Sequence, residues 1–166
     1  DGLYHYRPSS HAAEQRARGD VLGGLSEAPL AVILTSIFWR EAWKYRARAY
    51  RYVNHDLGHA MLALQYAAGE LGWPSRVRGL FRDLELASAI RPAPDEQTML
   101  LVELWPPAET RPGGNVRWTP GEPNPLSGEP IDYVLIDRMH AATLQCAPAA
   151  PPAPQVRAVD HVVVKQ

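Results

Sequence analysis

The stretch LTSIFWREAWKYRARAYRYVNHDLGHAMLALQYAAGELGW, residues 34–73, decides the fold because it changes from a strand pattern to a helix pattern. From Trp39 to Leu71 the apolar residues recur at intervals of three and four, the spacing of one helix face. We predict one long helix there, with a break near its start, that Gly72 and Pro74 end. Its second half, GHAMLALQYAAGEL, is apolar around most of its circumference. We therefore expect that half to be buried in the domain or in a dimer core.

The remaining patterns predict strands and short helices around this long helix. PLAVILTSIF (29–38) is a continuous apolar run, which predicts a strand covered on both faces in the middle of a sheet. The other predicted elements are a hairpin from GLYHYR (2–7) into HAAEQRAR, strands in SRVRGLF (75–81) and TMLLVELW (98–105), and helices in RDLELASAI (82–90) and IDYVLIDRMHAATLQ. Residues 106–130 hold many prolines and predict an irregular excursion. The mixture predicts an α+β fold.

Composition narrows the function classes. The net charge of −1 over 166 residues gives no overall field for nucleic acid or an anionic membrane, so we expect neither as a partner. The longest apolar run is far below the roughly 20 residues that cross a bilayer. Cys146 is the single cysteine, which excludes an internal disulfide framework and a cysteine-rich metal site and is typical of a cytoplasmic protein.

His55 and His59 raise the alternative of a zinc site. They are four residues apart, which places them on one helical face. However, the acid between them is Asp56 instead of the Glu that a metalloprotease uses as base, and no downstream motif offers a third ligand. We therefore predict no metal site. Structural hydrogen bonds or a place beside a cofactor pocket are the favoured roles of these histidines.

Cationic residues follow the same helix face. Their spacing of three and four predicts a polar stripe about 28 Å long at a rise of 1.5 Å per residue. The members are Arg40, Lys44, Arg48, Arg51, His55 and His59. One interpretation is a solvated basic face. The other is a site for a flat anionic or electron-rich ligand, because several Trp and Tyr residues lie between the cations.

Lys44 is the best acid–base candidate on this stripe. Nearly all basic residues of the chain are Arg. Because a guanidinium group stays protonated, an arginine does not act as a general acid or base. Burial among aromatic residues and neighbouring like charges would favour the uncharged amine of a lysine. The pair Lys44 and Tyr45 is therefore our predicted acid–base pair.

The block WKYRARAYR and the helix that follows it closely resemble the SagB/ThcOx-type branch of the nitroreductase superfamily. GLYHYRPSSH resembles the hairpin before the buried strand in that branch. PNPLSGEPIDYVLID resembles a segment after the domain in longer members. The resemblance covers roughly residues 2–140.

This resemblance implies a nitroreductase-like fold with an antiparallel-sheet core and a long central dimer helix. It implies a homodimer that binds FMN where the two subunits meet, with HDLGH as part of the dimer helix. In azoline-oxidising members, the residues that match Lys44 and Tyr45 assist proton removal while the flavin takes hydride. Gly79 matches the backbone turn near the flavin ring edge. A peptide substrate and a cyclodehydratase-type partner are implied with them.

The resemblance also sets the expected organisation. We expect residues 1–140 to form a nitroreductase-like domain that corresponds to the C-terminal half of the family domain, since its arginine-rich FMN-phosphate segment has no match here. We expect residues 141–166 to form a tail with the Pro/Ala spacer APAAPPAP (147–154) and a terminal strand. Two functions follow: an FMN-dependent oxidoreductase of azolines, or a flavin-free scaffold that binds a peptide or partner protein.

Overall fold

A three-stranded antiparallel sheet begins the chain in the computed structural model, which describes residues 2–107, 115–121 and 131–144. The predicted hairpin is confirmed, with strands β1 (Gly2–Arg7) and β2 (Ala12–Arg18) paired in antiparallel register. A two-residue strand, β6 (Arg117–Trp118), pairs with the other edge of β2. The excursion at 106–130 was therefore wrongly predicted to contribute no element, because backbone pairing with β2 recruits two of its residues.

The second sheet contains the apolar strands in the order β3 (Leu30–Ser36), β5 (Gln97–Leu104) and β4 (Ser75–Arg78), all antiparallel. Among the described residues, β5 is central and β3 is an edge strand, so the placement of the 29–38 run in the middle of a sheet is wrong. The burial of the side chains agrees with this order of the strands. Leu101, Val102, Glu103 and Leu104 are all buried, whereas β3 is half-buried along most of its length.

The long helix is interrupted near its start, as predicted. Helix α1 (Trp39–Tyr45) ends at Arg46, whose φ of 53° and ψ of −138° are not helical. A single 3₁₀ turn (Arg46–Arg48) leads into helix α2 (Ala49–Glu70). Gly72, with a φ of 68°, follows the end of α2 and adopts the left-handed conformation that glycine permits.

The second half of α2 is exposed on the single chain. Between Gly58 and Glu70 only Ala68 is buried, while Leu62 and Tyr66 are 48% and 61% exposed. The prediction offered two alternatives for this half, burial inside the domain or in a dimer core. Because the described residues leave it exposed, burial inside the described part of the domain is wrong. Burial in a dimer core stays a prediction.

Two short helices complete the described part of the fold. Helix α3 (Asp83–Ile90) follows β4, and helix α4 (Val134–Thr143) follows the excursion; the sequence patterns predicted both helices. Helix α4 packs against α2. One apolar cluster joins α1, α2 and α4, and its buried members are Phe38, Ala42, Ala49, Val53 and Ile136. A second cluster joins the end of α2 to the apolar sheet through Ala68, Val102 and Leu104. The predicted α+β class is confirmed, and the tail beyond Leu144 lies outside the described residues.

Candidate functional site

Lys44 and Tyr45 lie at the end of α1, immediately before the break. The Lys44 ammonium is 5.1 Å from the centroid of the Tyr45 ring, within cation–π distance. The Tyr45 ring packs in turn at 4.5 Å from the Tyr52 ring, which fixes it against the start of α2. The structure thus brings the two predicted residues into contact and anchors the aromatic member.

Lys44 itself is exposed. Trp43, which we expected to help surround it, is 66% exposed. The expectation that aromatic neighbours bury this lysine is therefore wrong for the single chain. The aromatic side chains of this region divide instead between the surface and the core, where Tyr50 packs at 5.5 Å from Phe38.

A cationic surface surrounds Lys44. We use this name for five exposed residues within twelve positions of the chain: Arg40, Lys44, Arg46, Arg48 and Arg51. Glu41 is the one acidic residue between positions 39 and 52. In the part of the chain that the structure describes, the five cations make no ion pair within 4.0 Å of a carboxylate. This surface is therefore available to an anionic group.

The predicted stripe does not continue as one straight line. Because Arg46 leaves the helical conformation, α1 and α2 have different registers, and the spacing from Lys44 to Arg51 no longer reports one helical face. His55 and His59 continue along α2, where both are exposed. The described residues contain no cluster of three or more His, Cys, Asp or Glu that could hold a metal ion, and none of their helices is long and apolar enough to span a membrane.

Gly79 lies elsewhere, in the loop between β4 and α3. It lines an open cavity of about 210 Å³ between α2, this loop, β5 and α4. The other lining residues are Tyr50, Asn54, Leu80, Phe81, Asp83, Thr98, Met99, His140 and Thr143. A Cβ built on Gly79 would meet no atom within 4 Å, so the backbone here is openly approachable. Lys44 and Tyr45 do not line this cavity.

His140 of α4 is a residue of this cavity that the sequence patterns did not single out. It is only 8% exposed, and neither ring nitrogen has a hydrogen-bond partner. Burial lowers its pKa, while the carboxylates of Asp83 and Asp137 act in the opposite direction. A histidine on the apolar face of an amphipathic helix is the signal that could have identified it, since His140 follows the buried Ile136 by one turn.

A buried ion cluster supports the sheet beneath β4. Glu103 is fully buried and accepts hydrogen bonds from Arg76, Arg78 and the Ser26 hydroxyl, at 2.7, 3.3 and 2.7 Å. The two arginines are partly exposed. The carboxylate therefore holds β4 in register beside β5 and positions the loop that carries Gly79.

Solved structures with this architecture are nitroreductase-like. One protein assigned as a nitroreductase from Anabaena variabilis has a TM-score of 0.66 at 24% identity, with 89% of this chain and 33% of that chain covered. Another, from Ralstonia eutropha, has a TM-score of 0.57 at 20% identity, with 66% of this chain and 55% of that one covered. The third is the E. coli microcin synthetase McbBCD complex with truncated pro-MccB17 bound. Its TM-score is 0.55 at 24% identity, with 64% and 44% covered.

The likeness establishes a nitroreductase-like α+β fold, as the resemblance implied. The chain spans between a third and about half of the length of these solved structures. No protein-family model and no curated protein matches the sequence. The class that fold and site define is therefore a nitroreductase-like domain with a cationic surface at its central helix.

Proposed function

We propose that the protein is an FMN-dependent oxidoreductase that resembles SagB-type dehydrogenases and oxidises azoline heterocycles in a peptide. The observation that carries this proposal is the contact of Lys44 with the Tyr45 ring at the edge of an unpaired cationic surface. Its support is the nitroreductase-like fold, together with the likeness to a microcin synthetase complex that has a pro-microcin bound. The residues WKYRARAYR supply the resemblance to the azoline-oxidising branch.

The described residues fit part of a flavin site. A flavin mononucleotide has a flat ring and an anionic phosphate, which call for open backbone or aromatic surface and for cations. Gly79 offers openly approachable backbone, and the cationic surface offers guanidinium and ammonium groups. The cavity at Gly79 is about 210 Å³, below the roughly 300 Å³ at which ordinary ligand sites begin. A second subunit would have to supply the remaining walls.

In this proposal Gly79 would lie beside the flavin ring, and the arginines of the cationic surface would attract the phosphate. When bound, FMN would accept the hydride that leaves the heterocycle. Lys44 would accept the proton lost from the same ring, so that the azoline loses two hydrogens and becomes an azole. A subunit that covers the cationic surface would remove water from around the Lys44 nitrogen and favour its uncharged form. Tyr45 would hold the amine in place through its ring.

The dimer is part of the same proposal. The exposed apolar side chains on the second half of α2 include Leu62 and Tyr66, which are four residues apart and share a helix face. A second copy packed there would cover them, as a central dimer helix requires. A cyclodehydratase-type partner would deliver the peptide. We propose the cytoplasm as the compartment because the chain has a single cysteine.

The test is turnover of an azoline-containing peptide by the intact protein with Lys44→Ala and Lys44→Arg. We expect Lys44→Ala to lower kcat by about 10²- to 10⁴-fold, because one positioned general base contributes that much. Bound FMN should remain. Lys44→Arg should be equally slow, since arginine keeps the charge but does not exchange the proton. Unchanged turnover in both variants would exclude the catalytic role.

A flavin-free scaffold that binds a peptide or a partner protein is the second candidate. The observation that favours it is the exposed apolar side of α4, where Val134 and Leu135 are more than half exposed. This candidate predicts a colourless protein that remains folded without cofactor. Stoichiometric FMN in the purified protein would count against it.

A further inference from the structure

We propose that the exposed face of the first sheet binds an acidic, extended segment of a partner polypeptide. The hairpin surface is our name for this face, and its members are Tyr4, Tyr6, Gln15, Arg18 and Arg117. It lies on β1, β2 and β6 and shares no residue with the cationic surface or with the cavity at Gly79. The inference therefore does not rest on the proposed function.

A β-bulge places Arg18 on this face. The register of β1 and β2 shifts between Leu3 and Tyr4, which leaves Arg16 of β2 as an extra residue. Residues three apart on a regular strand point to opposite faces, but the bulge brings Arg18 to the face of Gln15. The hydrogen bond from Arg18 Nε to Gln15 Oε1, at 2.9 Å, agrees with this placement. Bulges of this kind often direct a side chain towards a functional surface.

Arg18 and Arg117 form a pair of like charges on this face. They lie directly opposite each other where β2 pairs with β6, so their side chains are neighbours, with Cβ atoms about 5 Å apart. Both are exposed, and neither makes an ion pair with a carboxylate of the described residues. Like charges at this separation repel each other. A carboxylate bound between them would relieve the repulsion, and a guanidinium group can bind it through two hydrogen bonds.

Hydrogen bonds hold the two tyrosines of the surface in place. The Tyr4 hydroxyl accepts from Gln15 Nε2 at 2.9 Å, and Gln15 accepts in turn from Arg18, so one chain of hydrogen bonds joins the aromatic and cationic parts. The Tyr6 hydroxyl is 2.9 Å from Nδ1 of the exposed His11, whose ring it meets edge-on. Tyr4 and Tyr6 are nevertheless 49% and 55% exposed. Ordered tyrosines at a surface favour binding because they lose little side-chain entropy.

Charge and dimensions define the chemistry of the partner. The hairpin surface contains no acid, since Glu14 points to the opposite face of the sheet, where it pairs with His5 and Arg7. At about 3.4 Å per residue and 4.8 Å between strands, the surface measures roughly 14 Å along the strands and 10 Å across them. An extended peptide of about five residues spans this length. Its acidic side chains would meet the arginines at one end, and its aromatic side chains would pack on the tyrosines at the other.

The free edge of β1 favours a polypeptide over a nucleic acid. Among the described residues β1 pairs only with β2, so its other edge offers backbone N–H and C=O groups that an extended peptide can pair with. A nucleic-acid strand lacks a matching backbone, and it binds best where positive charge follows its whole length. The two arginines occupy only one end of the hairpin surface.

The experiment titrates the intact ¹⁵N-labelled protein with three probes while its backbone amides are followed by NMR. The first probe is an octapeptide with two glutamates and then two phenylalanines at alternate positions, separated by serines. The second has lysines in place of the glutamates, and the third is an octamer of thymidylate. We expect saturable shifts in β1, β2 and β6 with the acidic peptide. The lysine peptide should bind at least about tenfold more weakly, because its charges face the arginines.

Two charge reversals test whether the arginines carry the binding. Arg18→Glu and Arg117→Glu should each weaken binding of the acidic peptide by at least about fivefold, since each replaces an attraction by a repulsion. Arg138→Glu is the matched control, because Arg138 is also exposed but lies on α4. The urea midpoint of Arg117→Glu should not fall, because the substitution removes a like-charge pair. Should a variant unfold, the comparison of the two peptides on the unmodified protein still decides the question.

Four results would overturn the inference. They are an absence of saturable shifts with the acidic peptide, equal binding of the two peptides, tighter binding of the oligonucleotide, and shifts confined to the cationic surface. The third result would assign the hairpin surface to nucleic acid, and the fourth would place the acidic peptide beside Lys44. Turnover and FMN binding enter none of these measurements, so failure of this inference and failure of the proposed function are distinguishable.

Discussion

Arg76 of β4 donates through its Nε to the Oε2 of Glu103 on β5 at 2.7 Å, and Glu103 is fully buried at the centre of the sheet. The carboxylate also accepts from Arg78 and from Ser26, so all of its partners come from segments that flank β5. A buried charge of this kind is tolerated because it is paired and hydrogen-bonded. Strand β4 and the loop that carries Gly79 depend on it.

Replacement of Glu103 by Gln should therefore destabilise the protein. The amide keeps the shape but loses the charge-assisted hydrogen bonds to the two arginines, which we expect to lower the free energy of unfolding by about 2–4 kcal/mol. Urea unfolding measures this. Glu85→Gln is the control, because the Arg82–Glu85 pair is exposed and should contribute less than about 1 kcal/mol. Equal effects of the two substitutions would contradict a supporting role of Glu103.

His140 should make stability depend on pH. Burial lowers its pKa in the folded protein below the ordinary value of about 6.5, so the unfolded chain binds the proton more readily. The contribution of the neutral ring is complete above pH 6.5. It is lost as the pH falls through that value towards the lower pKa of the folded state. In urea unfolding between pH 5 and 8, His140→Asn should show a flatter dependence than His11→Asn. Parallel curves would contradict this assignment.

Leu62 tests the dimer surface. Because Leu62 is 48% exposed on the single chain, Leu62→Asp should leave the monomer fold intact while it places a charge in the proposed dimer contact. We expect sedimentation to show a shift from dimer to monomer. Leu84→Asp is the control, since Leu84 is also exposed but lies on α3. A dimer that survives Leu62→Asp would show that α2 is not its interface.

Gly79 tests the approach of the flavin. Because a Cβ at this position meets no atom within 4 Å, Gly79→Val should not change the melting temperature measurably. It should, however, place two methyl groups where the flavin ring would lie and weaken FMN binding by at least about tenfold. Fluorescence titration of FMN checks this. Ser88→Val, at an exposed position of α3 outside the proposed dimer contact, controls for the added side chain.

Elements with strong local patterns could be predicted from the sequence. The alternation of GLYHYR, the apolar spacing of α2 and the amphipathic pattern of α4 all correspond to observed elements. The order of strands could not be predicted, because β3 and β5 are both continuous apolar runs and only long-range pairing decides which one is central. A break near the start of the long helix was predicted, but its position at Arg46 was not, since a positive φ is unusual for arginine.

The candidate site likewise has one part that the sequence predicts and another that depends on long-range packing. Lys44 and Tyr45 are adjacent in sequence, so their contact follows from local structure. The cavity at Gly79 joins residues from four separate parts of the chain, and no spacing in the sequence brings His140 to it. Glu103 is intermediate: a single acid within the apolar run TMLLVELW is a visible anomaly, but its partners on β4 emerge only from the pairing.

The most direct test of the central claim is the visible absorption spectrum of the intact protein after FMN is added and then removed by desalting. The proposed function predicts a flavin band that persists at a stoichiometry matching the chain and that bleaches when the azoline peptide is added without oxygen. A colourless protein would contradict the account and favour the flavin-free scaffold.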